Sequence, residues 1–209
     1  MPEESARNIA GDIEYMRTLA ERGVQAPLLG GRFSLMWGVL VTLATLIEWL
    51  ILSNRISWGA DKIGLVWLAI GVLGGILSFI LGRSLRGKPG CGSVGNRVSQ
   101  IVWSAGGIAI FVYVMSLVAG AVFGKTTAGD FDTIMPMAFC IYGTAYFTTG
   151  SLSGNGAMKI IAMLAFAGAL ITSVLIHQPA AYLVAAIFVV LTAIIPGLML
   201  MRAEPAQIV

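Results

Sequence analysis

Apolar residues run along this chain in six long blocks, and the polar residues fall between them. The blocks are Phe33–Leu52, Ile63–Leu81, Ile101–Phe123, Ile134–Thr149, Ile160–Ile176 and Ala180–Met201. A helical membrane crossing takes about 20 apolar residues, so each block has about the length of one crossing. The pattern predicts an all-α polytopic membrane protein with six transmembrane helices in three tandem hairpins. Ser53–Lys62, Gly124–Asp132 and His177–Pro179 supply the turns. The fourth block is the shortest and the most polar.

Ahead of the blocks, Ala6, Ile9, Ile13, Met16 and Ala20 recur at intervals of 3, 4, 3 and 4, with Glu14, Arg17 and Glu21 on other faces. That spacing predicts a short cytoplasmic amphipathic helix. It is closed by Gly23, followed by Pro27. A helix this short is marginal alone in water and needs a surface. Its polar face is slightly acidic, which suits protein better than anionic lipid. Ile9, Ile13 and Met16 are the docking candidates, on this bundle or on a cytosolic or membrane partner reached through residues 5–22. The chain thus divides into residues 1–32 (helix and linker), 33–202 (membrane domain) and 203–209 (tail).

Composition supports this division. The chain has 209 residues, 57% of them hydrophobic and 11% charged, with a mean hydropathy of +0.88; soluble domains carry roughly 25% charged residues. The first 32 residues hold five acids and four Arg without an apolar core, unlike a secretory signal. With both ends on one side, that side holds Arg7, Arg17, Arg22, Arg32, Arg83, Arg86, Lys88, Arg97, Lys159 and Arg202, against Arg55, Lys62 and Lys125 opposite. Ten cations against three predict cytoplasmic termini in a bacterial inner membrane. Trp49, Trp58 and Trp67 then mark the outer interface.

Small residues predict how helices meet, because close backbone approach replaces hydrophobic burial inside lipid. Gly64, Gly71, Gly75, Ser78 and Gly82 share one face of the second crossing. Ser116, Gly120 and Gly124 do so on the third, and Ala162, Ala165 and Ala169 on the fifth. Leu at Gly75 is expected to cost more stability than Ala at Leu73. Pro196 should kink the sixth crossing. Gly30-Gly31-Arg32, Gly95-Asn96-Arg97 and Gly154-Asn155-Gly156 echo one another where each hairpin begins. Six helices in three hairpins loosely resemble the small acid-stress membrane proteins of the HdeD type, in architecture and not through a shared motif.

Reactive groups are few. Cys91 and Cys140 form no C-x-x-C pair, which argues against thiol–disulfide chemistry. Gly82–Lys88 fits seven positions of a phosphate loop, but Pro89 stands where Ser or Thr must hold Mg²⁺. His177 is the one His, too few for a catalytic zinc, although it can titrate near neutral pH. No cofactor and no nucleic acid are expected. Two polar features remain. Glu48 is the one acid well inside an apolar run, about 8 Å from the helix end, and an intramembrane charge marks function by default. The plainer reading is anchoring at the outer interface beside Trp49, or ion pairing with Arg55 if the helix extends that far; Thr42 and Thr45 on the adjoining face support the functional one. In the fourth block Tyr142, Tyr146 and Thr149 align as a hydroxyl stripe, with Asp130 and Asp132 just before the helix, where they complement its dipole. Two functions follow: a non-enzymatic membrane protein acting through protein or membrane interactions in a stress, sensory or accessory role, or a small-solute or ion transporter using Glu48, Thr45 and the stripe.

Overall fold

The computed structural model describes Glu14, residues 28–85 and residues 90–204. The N-terminal amphipathic pattern, with Ile9, Ile13 and Met16, lies outside the described residues. The rest is helical: α1 (Gly31–Leu52), α2 (Ile63–Leu85), α3 (Val94–Val122), α4 (Ile134–Leu152), α5 (Gly156–Val174), α6 (Ala180–Val189) and α7 (Ile195–Ala203), the last two joined by a π-helical turn, Val190–Ile194. Five spans are long and apolar enough to cross a membrane: α1, α2 with its leading turn, α3, α5, and α6 through α7. Helix α4, with 19 residues, matches α5 in length; its Tyr and Thr residues keep it out of that group.

Several helices outrun their apolar blocks because polar residues extend them. Helix α3 begins at Val94, seven residues before its apolar block, where Ser93 accepts the backbone N–H of Asn96. Helix α5 begins at Gly156, where Asn155 accepts from the N–H of Ala157. Both are N-cap bonds that satisfy first-turn donors. Asn96 has a second task, because its side-chain oxygen accepts the buried N–H of Leu29 and so ties the entry of α1 to the start of α3. The two Asn residues of the echoed motif thus do different work. Pro196 cannot donate to the preceding turn, and the helix there widens into the π turn. Ser34 Oγ of α1 donates to the Ala193 carbonyl in that turn, at 2.8 Å.

The helices pack in a curved row. Helix α2 lies on α1, α1 on the α6–α7 helix, that helix on α5, α5 on α4, and α4 on α3. The tightest contacts use small residues, though not all those expected. Ala162 and Ala165 of α5 are fully buried, and Ala169 nearly so. Between α1 and α7, a Cβ on Gly197 would stand 2.6 Å from the Leu35 nitrogen, and one on Gly31 2.8 Å from the Gly197 carbonyl. Those two backbones touch.

Helix α2 corrects the expectation. A Cβ on Gly64, Gly71 or Gly75 would meet nothing within 4 Å, so that stretch of the glycine face is open. What holds α2 is Trp37 of α1, whose ring lies against Gly74 and whose Nε1 donates to Ser78 Oγ at 2.9 Å. On α3, Gly120 faces only the side chain of Thr126 in the following turn, and Gly124, at φ +66°, ends the helix. Gly120 and Gly124 thus serve the turn, and Ser116 donates its hydroxyl to the Tyr113 carbonyl of its own helix. Instead α3 rests on α4 through Trp103, edge-on to Tyr142 and Tyr146 at 5.3 and 4.9 Å.

Candidate functional site

Glu48 faces inward from the last turns of α1 and is 7% exposed. A buried carboxyl needs partners, and it finds them on other helices. Trp67 Nε1 of α2 donates to its Oε2 at 2.7 Å. The side chain of Tyr182, in the first turn of α6, stands near it, without a hydrogen bond between the two. The expected ion pair with Arg55 does not form: α1 ends at Leu52, and Arg55 sits exposed in the turn beyond.

Tyr182 leads onward, since its Oη donates to Asp132 Oδ1 at 2.6 Å. Asp132 Oδ2 meets His177 Nδ1 at 2.8 Å. Asp132 occupies the short 3₁₀ turn before α4, and His177 the turn between α5 and α6. His177 adopts φ +64°, a left-handed conformation uncommon for a residue with a side chain. Its ring lies 3.3 Å from where a Cβ on Gly129 would stand, so glycine there leaves room for the imidazole. The His177 side chain is 61% exposed and that of Asp132 18%, whereas Tyr182 and Glu48 are both buried. Hydrogen bonds therefore run from solvent through His177 and Asp132 to Tyr182, which stands beside the buried carboxyl of Glu48.

The hydrogens of this relay can be counted. A tyrosine hydroxyl carries one hydrogen, and here Asp132 takes it. Tyr182 therefore has none left to give Glu48, whose donated bond comes from Trp67. Binding and passing a proton is the chemistry such an arrangement can do. Asp130 stands apart from the relay. Its carboxylate accepts from the N–H and hydroxyl of Thr127 at 2.6 and 2.8 Å, and the backbone bond first, the hydroxyl second, hold it below the usual aspartate range. Among the described residues, no three His, Cys, Asp or Glu side chains come together as a metal site.

The hydroxyl stripe of α4 lies elsewhere. Tyr146, 2% exposed, bonds Ser34 of α1 at 3.1 Å. Ser34 is 14 residues from Glu48 on the same helix, about 21 Å away. Tyr142 packs against Trp103 and Phe139, and Thr149 is buried with no partner for its hydroxyl among the described residues. Thr45 is fully buried and returns its hydroxyl to the carbonyls of Val41 and Thr42 on its own helix. The structure therefore does not join Glu48 with Tyr142, Tyr146 and Thr149 into one site. It joins Glu48 to Trp67 and sets Tyr182 beside it; the sequence marked Trp67 only as an interface aromatic and did not single out Tyr182. The usable signal was their polar tips, since a buried indole N–H or phenol seeks a partner.

Comparison with protein-family models, with curated proteins and with solved structures found no match to this chain.

Proposed function

We propose that this chain is a non-enzymatic inner-membrane protein of six crossings with cytoplasmic termini, α4 completing the three hairpins, and that it senses protons from the outer face. The observation that carries this reading is the relay from exposed His177 through Asp132 to Tyr182, beside buried Glu48. Together with the Glu48–Trp67 bond beside it, the relay brings four parts of the bundle together: α1, α2, the turn before α4, and the α5–α6 turn with α6. A change in its proton content alters the forces among all four. The signal leaves by interaction, and the face of Ile9, Ile13 and Met16 is the proposed cytoplasmic docking segment. The transporter reading is weaker. A solute leaving Glu48 along α1 would have to pass Ala44 and Thr45, both fully buried, and then Gly38, whose backbone lies against Ala193 and Ile194.

The test is pH-jump infrared difference spectroscopy on protein in lipid. A change in a protonated-carboxyl band is expected in the wild type. It should vanish in Glu48→Gln and develop more slowly in Asp132→Asn and His177→Ala. A band that persists unchanged in Glu48→Gln would overturn the reading.

A further inference from the structure

At the opposite end of the bundle from His177, α1, α2 and α7 leave a groove of about 540 Å³ open to the side. Its walls include Leu35, Met36, Leu77, Ile80 and Met201, and the one charged residue lining it is Arg32. The lining on α1 runs from Arg32 to Leu40, eight residues or about 12 Å. Half of a hydrocarbon core about 30 Å thick is roughly 15 Å, so the groove matches most of one leaflet in depth. An apolar slot with a cation at one end has the shape of an amphiphile.

The charge at that end is incompletely met. Arg32 pairs with Glu204 at a loose 3.4 Å, and its side chain remains 40% exposed. A guanidinium has five donors, and Nε of Arg32, itself buried, has no acceptor among the described residues. Arg83, in the last turn of α2 and stacked on Phe79, and Arg202, in the last turn of α7, put two more cations at the same end. Guanidinium forks fit phosphate oxygens, and basic sites between helices hold anionic head groups. Among the described residues, three arginines against the one carboxyl of Glu204 favour an anion over a zwitterion at this end.

We infer that this groove binds an anionic phospholipid, with an acyl chain between α1, α2 and α7 and the phosphate on Arg32. The inference rests on the groove and its charge and is independent of the proton reading. The full-length protein should be measured by native mass spectrometry with equal amounts of phosphatidylglycerol and phosphatidylcholine of the same chains. The wild type should retain phosphatidylglycerol several-fold over phosphatidylcholine. Arg32→Gln should bring that ratio close to one, and Arg202→Gln should lower it less. Leu77→Trp keeps every charge but fills the groove, and should also lose the retained lipid. Three results would overturn the inference: an unchanged preference in Arg32→Gln or Leu77→Trp, equal losses in the two arginine variants, or a dimer that Leu77→Trp dissociates, which would make a second copy the occupant.

Discussion

At the scale of single residues, burial separates the acids of this chain. Glu48 survives inside a membrane helix because Trp67 supplies the hydrogen bond that lipid cannot. Asp130 lies in the open, and its bonds from Thr127 bind the ionised form. The sign of its linkage follows. A carboxyl lower in the folded than in the unfolded chain contributes stability above its unfolded value, near 3.9 for Asp, and loses it as pH falls through the folded value. Asp130→Asn should therefore flatten the acid limb of melting temperature against pH below about 4, and leave the curve at pH 6–8 parallel to wild type. A steep acid limb retained in the variant would show that other groups set it.

Among the helices, contact geometry decides which glycines matter. Gly197 faces the backbone of α1, so Gly197→Ala forces two backbones apart, an overpacking cost of typically 1–3 kcal/mol. Gly75 faces open space. Gly75→Leu meets no protein and gains helix propensity, up to about 1 kcal/mol, so it should be neutral or stabilising, the reverse of the expectation from spacing. Melting in detergent should place Gly197→Ala well below wild type and Gly75→Leu at or above it. The helical blocks were legible because an 18-residue apolar run has few other solutions in a protein this hydrophobic. Which small-residue faces meet a neighbour was not, because a period of 3 and 4 marks a face without naming what lies opposite. The relay was half legible. Glu48 stood out as a charge among apolar residues, and Asp132 and His177 were each noticed, but their meeting depends on how two inter-helix turns converge on the end of α1. Nothing local in the sequence encodes that.

For the whole molecule, orientation is the claim most open to direct measurement. Cys91 lies in the turn leading into α3, half-buried, at the end of the bundle that carries Arg32. If that end faces the cytoplasm, as the ten-to-three cation count of the sequence predicts, impermeant thiol reagents added to intact cells should leave Cys91 unlabelled, and permeabilisation should expose it. Labelling from outside would invert the molecule and place the relay in the cytoplasm.

The row of helices also sets a timetable for assembly. Helix α1 finds its closest partners in α6 and α7, yet Ala180 is made 149 residues after Gly31 (180 − 31). At about 5–20 residues per second, the first helix waits roughly 7–30 s in the membrane before Tyr182 arrives beside Glu48. During that interval the carboxyl has at most Trp67 beside it, and the α1 surface that Gly197 will cover is bare. The first helix is thus the one whose native contacts depend most on what the ribosome has yet to make.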